Sequence, residues 1–467
     1  MVPPSAEHVY PSRASAWYAT VMLLLVMAFA YLDRIALSFL ITPIQKDLHL
    51  SDVEAGLILG PAFMVLFVAA ALPMGAIADR HSRRNLLIAG LLIWSLATAL
   101  SALAHDFTTL ALARAGVGLG EACLVPTIFS LVGDYFPPHL RGKPTAVITI
   151  GTAIGAGGGL FGGGYVLATA ERIGAIQLPV LGPIAPWGLV LGLFGIAGLL
   201  FAVLLLSLRE PRRVAPRPGS VTQIVSQREF AGFLCRNRNA IALIMLPYVM
   251  LGYAQYAIAG WIPTLLARSH GLTPSEAAIN YGLVTTLASP LAAILGGILA
   301  DRFAVSRADG RFVLVRYFLP MFMPGVLLVC FGSTIEWVLT GVAIEIFATG
   351  VVLTSVYASI SDIAVPQMRG RLLAFYGLLA NIFGIGLGPT VTALITDEIL
   401  QDPSMLHLAL AIAIAPAWVV GCVGAFAGRS AFARLWRQST GINDPQAHES
   451  APALPLSDVT GPGRVAS

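Results

Sequence analysis

The chain has 467 residues, of which 57% are hydrophobic and only 11% charged, against about 25% charged residues in an ordinary soluble domain; the mean hydropathy of +0.81 excludes a water-soluble globular protein. The formal charge of +4 comes without a basic stripe interleaved with aromatics, so no nucleic-acid partner is expected. The four cysteines are isolated and form no CxxC pair, which argues against a disulfide framework, a thiol redox site and a metal site.

A bilayer core of about 30 Å takes about 20 apolar residues per helix. After a tail at 1–15, such runs occur near 16–41, 54–78, 85–104, 108–133, 144–168 and 185–208, forming a first set within 16–208. The first run has the charged start and small-residue end (Ala28, Phe29, Ala30) of a secretory signal. Its apolar character resumes after Asp33 and Arg34 as far as Ile41, so it is expected to be a full span. A linker at 209–239 leads to a second set within 240–428, near 240–267, 277–300, 312–332, 336–362, 371–396 and 404–428. The polar tail at 429–467 is expected to be mostly disordered.

Positive residues test this count, because loops that stay in the cytoplasm hold them. One side receives Arg13, Arg80, Arg83, Arg84, Arg141, Lys143, the arginines of the linker, Arg302, Arg307, Arg311, Arg316, Arg369, Arg371 and those of the C-terminal tail. The other receives Lys46, Arg172 and Arg268. Both termini and the linker are therefore expected to be cytoplasmic.

An internal repeat sets the architecture. Ser51 and Glu54 before the second span, and Thr273 and Glu276 before the eighth, form S/T-x-x-E capping boxes at an offset of 273 − 51 = 222. The same offset relates Gly75, Asp79 and Arg80 to Gly297, Asp301 and Arg302, while Asp134 and Arg141 match Asp362 and Arg369 at an offset of 228. The fold class expected is an all-α membrane protein of twelve transmembrane helices in two pseudo-symmetric six-helix bundles, the parallel-repeat signature of a transporter. In the linker, Val221, Ile224, Val225, Phe230, Phe233 and Leu234 recur among Arg and Gln; a surface helix on the headgroups and a solvated connector are both open readings.

Ionisable residues deep in spans carry the most information, since each is costly in hydrocarbon and faces a bundle interior. Five stand out: Asp33, Arg34, Arg114, Glu121 and Glu345. Asp33 and Arg34 lie on adjacent helix faces, so at most one points straight at a central cavity. Arg114 and Glu121, seven residues apart, share a face. At a rise of about 1.5 Å per residue, Arg34 and Arg114 both lie roughly 10 Å below the outer surface, with Glu121 about 10 Å deeper. An interhelical ion pair that fixes packing is the plainer alternative to a functional cluster. Glu345 has two equal readings, a second protonation site or a neutral acid held by burial. No histidine lies deep in a span, so proton coupling must use carboxylates, Glu121 and Asp33 first. The same absence argues against an intramembrane enzyme.

At the basic ends, Asp79, Arg80, Arg83, Arg84, Asp134 and Arg141, with Asp301, Arg302, Asp362 and Arg369 in the second half, read as gate components that bridge the halves in one conformation. Topology anchoring explains the arginines but not the repeated aspartates. Eight glycines between Gly151 and Gly164 favour close helix packing. Tyr248, Tyr253, Gln255, Tyr256, Trp261, Tyr376 and Asn381 can line a cavity wall, although half of them are expected to face elsewhere.

The motifs YLDR (Tyr31 to Arg34), GAIADRHSRR (Gly75 to Arg84), WSLAT (Trp94 to Thr98), RAGVGLGEA (Arg114 to Ala122) and DYFPPHLR (Asp134 to Arg141) resemble the major facilitator superfamily and, more narrowly, its Spinster family. That resemblance implies a major facilitator fold working by alternating access, with no cofactor and no enzymatic activity. It implies an amphipathic anion such as a lysophospholipid or sphingolipid phosphate as cargo, with protons coupled to it. Asp33, Arg34, Arg114 and Glu121 would then form the proton-linked and headgroup-binding cluster, with Tyr31, Glu345, Tyr256 and Asn381 as further substrate contacts. The fifth span lacks the proline of the superfamily's antiporter motif, while Gly388 and Pro389 occur in the eleventh. Small organic or sugar acids are the alternative cargo, and a non-transporting receptor the alternative class. A monomer in the inner membrane of a bacterium, surrounded by membrane lipids, is expected.

Overall fold

The computed structural model describes residues 10–179, 182–213, 226–306, 310–365 and 367–440. Twelve helices in it are long and apolar enough to cross a bilayer. The first half comprises α1 (Arg13–Leu48), α2 (Asp52–Arg80), α3 (Arg83–Ser101), α4 (Phe107–Tyr135), α5 (Gly142–Ile173) and α6 (Pro186–Leu205). The second comprises α7 (Arg238–His270), α8 (Pro274–Phe303), α9 (Arg311–Phe331), α10 (Ile335–Asp362), α11 (Arg369–Leu400) and α12 (Pro403–Ser439). A hairpin of β1 (Ile176–Leu178) and β2 (Gly182–Ile184) joins α5 to α6. In the linker, Gln227–Arg236 forms a short amphipathic helix that opens with a Ser226–Glu229 capping box and includes Phe230, Phe233 and Leu234; Val221, Ile224 and Val225, like the tails at 1–9 and 441–467, lie outside the described residues.

Local signals fix the helix ends. Both expected capping boxes form: the Ser51 hydroxyl accepts from the Glu54 amide while the Glu54 carboxylate accepts from the Ser51 amide, and Thr273 and Glu276 do the same. The ends of α1 and α7 fall on residues in the left-handed region, His49 and Gly271, which are themselves related by 271 − 49 = 222. The repeat also governs distortions. A π-helical turn starts at Ile154 in α5 and another at Ile382 in α11, at the offset of 228; such turns interrupt the regular ladder and are frequent at functional sites.

Large apolar side chains such as Leu72, Leu112, Leu200 and Val203 stand on the outside, a surface suited to hydrocarbon and not to water. Within each half the helices are close-packed, with α7 against α12, α9 against α10, and α3 against α4 and α6. Glycines set the closest approaches. On one face of α5, Gly151, Gly155 and Gly159 meet the backbone of α1 at Leu24, Ala28 and Leu32, and Gly163 meets the Phe39 ring.

The two halves touch mainly at the end opposite the linker. There Thr42 and Thr264, repeat mates at 264 − 42 = 222, share a hydrogen bond of 3.0 Å. Two glycine seams close the same end. A Cβ on Gly60 of α2 would stand 2.4 Å from the Ile385 carbonyl of α11, and one on Gly282 of α8 would stand 2.3 Å from the Phe161 nitrogen of α5; Gly60 and Gly282 are again 222 apart. Toward the linker end, Gly75 and Gly370, and likewise Gly297, face open space. The molecule is therefore closed at one end and splayed at the basic end.

Candidate functional site

Between the halves lies a cavity of about 240 Å³ whose walls come from α1, α2, α5, α7, α8, α10 and α11. Four of the expected site residues line it: Tyr31, Arg34, Tyr256 and Glu345. Of the wider aromatic and polar set, Gln255 and Tyr256 reach it. Trp261 is buried instead, its indole N–H donating to the Pro389 carbonyl at 2.9 Å. Tyr248 and Tyr376 pack on each other with ring centres 6.3 Å apart. Arg114 and Asn381 do not line the cavity.

The adjacency of Asp33 and Arg34 has the consequence that helical geometry demands. Arg34 faces the cavity, and Asp33 turns back into the first half, where it is 1% exposed. Arg34 pairs with Glu121 of α4, and its guanidinium lies over the rings of Phe63 and Tyr31 at 5.0 and 5.1 Å. Asp33 accepts from the Thr98 hydroxyl at 3.1 Å and lies 3.9 Å from Arg114. The Arg114 guanidinium in turn lies over the same Phe63 ring, 5.6 Å from its centre. Two acids and two cations thus neutralise one another in a buried cluster, both guanidinium groups lying within 6 Å of the Phe63 ring centre. The cluster is not saturated: Asp33 Oδ1, Arg34 Nε, Arg114 Nε and Glu121 Oε1 are buried without a hydrogen-bond partner. Unused donors and acceptors are costly in a buried network, so a bound group that satisfies them is favoured there.

The opposite wall carries one acid. Glu345 of α10 is 2% exposed, faces the cavity with Thr349 one turn further along, and has Tyr281, Thr285 and Ser289 of α8 beside it on the lining.

At the basic end the motif residues form one layer in each half. Arg83 of α3, 2% exposed, pairs with Asp134 of α4 and with Glu210 after α6. Arg311 of α9 pairs with Asp362 of α10 at 2.9 Å, and 311 − 83 and 362 − 134 both equal 228. Arg141 donates to the Phe136 carbonyl and Arg369 to the Ala364 carbonyl, repeat mates once more. Arg84 donates to the Leu208 carbonyl, and Asp79, Arg80, Asp301 and Arg302 are exposed. The bonds described for Arg83, Arg84, Arg141, Arg311 and Arg369 stay within a half or reach the linker, in keeping with the splay of the halves at this end. Burial opposes ionisation of Glu210, yet hydrogen bonds from Ser82 and Arg83 outweigh it and hold its carboxyl below the ordinary range.

The closed end holds residues that sequence reasoning did not single out. Asp52 in the first turn of α2, 3% exposed, accepts two bonds from Arg268 of α7 at 2.6 and 2.7 Å and one from Gln45 at 2.7 Å. Asp397 of α11 accepts from the Val53 amide at 2.7 Å, and Glu171 of α5 accepts from Ser275 of α8 at 3.2 Å. The available signal was that Arg268 is the repeat mate of Lys46 and one of the few positive residues on that side.

A twelve-helix membrane protein in two repeats, with a buried charge cluster at a central cavity closed on one side, has the architecture of an alternating-access transporter. The sequence profile of the Major Facilitator Superfamily matches residues 23–389 and 248–460, and the chain belongs to that family, whose members are transporters and not enzymes. It is 27% identical over 423 residues to an MFS-type efflux pump of Mycolicibacterium smegmatis, covering 90% of this chain and 93% of that one. It is 24% identical over 420 residues to Protein spinster of Drosophila melanogaster, covering 86% of this chain and 66% of that one. Among solved structures, a bacterial homologue of the human lysosomal transporter Spinster, in an inward-facing and unoccupied conformation, superposes with a TM-score of 0.75 at 22% identity, covering 92% of this chain and 99% of that one. The chain is thus a Spinster-like integral membrane transporter of the superfamily.

Proposed function

We propose that the protein is a proton-linked transporter of an amphipathic anion, acting as a monomer with both termini and the linker in the cytoplasm. The asymmetry of Lys and Arg supports that orientation, and in it the splayed end faces inward. The observation that carries the reading is the pairing of Arg34, on the cavity wall, with Glu121 behind it. While Glu121 is ionised it occupies the guanidinium. A proton on Glu121 weakens the pair, and the freed guanidinium then holds a phosphate or carboxylate with two parallel hydrogen bonds. Asp33, with Arg114 and Thr98, shares the charge balance and is the second proton-linked acid. Apolar lining residues beside Arg34, namely Ile35, Leu59, Ile385 and Pro389, favour a cargo with an apolar part, such as a lysophospholipid or a sphingolipid phosphate. The volume of about 240 Å³ favours the second reading, a small organic or sugar acid.

Alternation requires the closed-end contacts to part while the two basic-end layers meet, with Asp79, Arg80, Asp301 and Arg302 in position to bridge them. Counterflow in proteoliposomes tests the cargo: labelled lysophospholipid is expected to exchange and to lose exchange in Arg34→Gln. Exchange of labelled organic acids alone selects the second reading. No exchange of either class, with retained binding of a protein partner, contradicts transport of an anion.

A further inference from the structure

Glu345 stands apart from the cluster described above. It is buried, lines the cavity, and makes no hydrogen bond or ion pair among the described residues; its Oε2 is buried without a partner. The neighbours that face it are neutral. On α10 itself the nearest polar group is Thr349, whose hydroxyl also lacks a partner. From α8 come Tyr281, Thr285 and Ser289, and from α5 the apolar Ala156 and Leu160. From α9, Gly325 packs directly against its backbone, where a Cβ would stand 2.9 Å from the Glu345 nitrogen. Across the cavity α1 contributes Tyr31 and Arg34, α7 contributes Gln255 and Tyr256, and α11 contributes Ile385 and Pro389. The one cation in this lining, Arg34, is already taken by Glu121.

An ionised carboxylate with no counter-charge at this depth is strongly unfavourable, so the group has two accessible states: protonated, or paired with a cation that enters the cavity. We infer that Glu345 is a proton–cation exchange site, at which a lipophilic organic cation such as a quaternary ammonium or phosphonium displaces a proton. The balance is simple. The Glu345 O–H bond breaks, its proton leaves to water through the splayed end, and the carboxylate left behind pairs with the incoming cation; no other charge moves. The apolar lining residues Leu160, Ile346 and Leu353 suit the apolar body of such a cation. The inference is separate from the anion reading, which rests on Arg34 and Glu121: a cation binds here with Arg34 still held by Glu121.

The test uses the full chain in lipid nanodiscs and tetraethylammonium, which is small enough for the cavity of about 240 Å³, as the probe. Binding is measured by calorimetry from pH 6 to 8.5, and proton release is read with a dilute pH indicator. Wild-type protein is expected to bind more tightly as pH rises, by up to tenfold per unit where the acid is protonated, and to release one proton per cation. Glu345→Gln should weaken binding at least tenfold and abolish release. Glu345→Asp should retain release at reduced affinity, which guards against a folding defect in the amide. Glu336→Gln, on the exposed first turn of α10, should behave as wild type. Absence of probe binding, pH-independent binding in the wild type, or undiminished proton release in Glu345→Gln would each overturn the inference.

Discussion

Asp52 is the buried half of an ion pair that joins the two bundles at the closed end, and Asp52→Asn removes its charge while keeping its shape. The Asp52 side chain is 2% exposed and that of Arg268 is 20% exposed, with two short bonds between them. A hydrogen bond to a charged group contributes about 1.5–3 kcal/mol. Partial exposure of Arg268 screens the charge, and an amide oxygen can still accept one bond, so a net loss of about 2 kcal/mol is reasonable. Because the pair exists only while this end is closed, the whole loss falls on one conformation, and the closed-to-open ratio at this end should drop roughly thirtyfold. Double electron–electron resonance reads that ratio. Spin labels at His139 and Val365, both in exposed loops at the basic end, with the exposed Cys235 replaced by Ser, should show a new short-distance population in the variant. An unchanged distance distribution would refute the latch, and the closed end would then be held by packing alone.

Gly282→Ala should act in the same direction by a different cause: the added methyl meets the Phe161 nitrogen and the Leu160 Cβ at 2.3 and 2.8 Å, so α5 and α8 must separate at a cost of about 1–3 kcal/mol, visible with the same labels. Arg34→Gln should lose anion counterflow at least tenfold, whereas Arg114→Ala, set back from the cavity, should weaken it less; equal losses in initial-rate flux assays would argue against direct contact by Arg34. Glu210→Gln should lower the melting temperature at pH 7, and the gap to wild type should close with acid. Its folded carboxyl titrates below the ordinary 4.5, so its contribution is full above that value and is lost as pH falls through the depressed one. A gap that persists at pH 3 in thermal melts would show that the Arg83 layer does not depend on this charge.

Topology was legible because it rests on strong, additive signals. Apolar length, arginine asymmetry and the 222 offset each pointed to six plus six helices. The change to 228 marks six extra residues between Arg302 and Arg311 that have no counterpart between Arg80 and Arg83. The charge cluster was legible as a set, because four ionisable groups in α1 and α4 have few ways to be buried together. Which partners meet was less so. Helical phase told that Asp33 and Arg34 diverge, but the choice of Arg34 over Arg114 for Glu121 depends on the crossing of α1 and α4, a tertiary quantity. The wall residues of α7 show the same limit: Tyr253 and Tyr256 differ by three positions, yet Tyr256 lines the cavity and Tyr253 does not. The closed-end latch escaped because Asp52 reads as a helix-capping acid in a loop. Its burial arises only when the α7 end brings Arg268 across, and no local pattern records that meeting.

The proton linkage at Glu121 is the central claim, and one measurement addresses it most directly: the distance between labels at His139 and Val365 as a function of pH, in wild type and in Glu121→Gln. Wild-type protein in nanodiscs should shift its balance of conformations with a single titration as Glu121 gains its proton and releases Arg34. Glu121→Gln should sit near the wild type's low-pH distribution and stay there across the range. A Glu121→Gln variant that still shifts as wild type does would contradict the claim and assign the proton to Asp33 or Glu345.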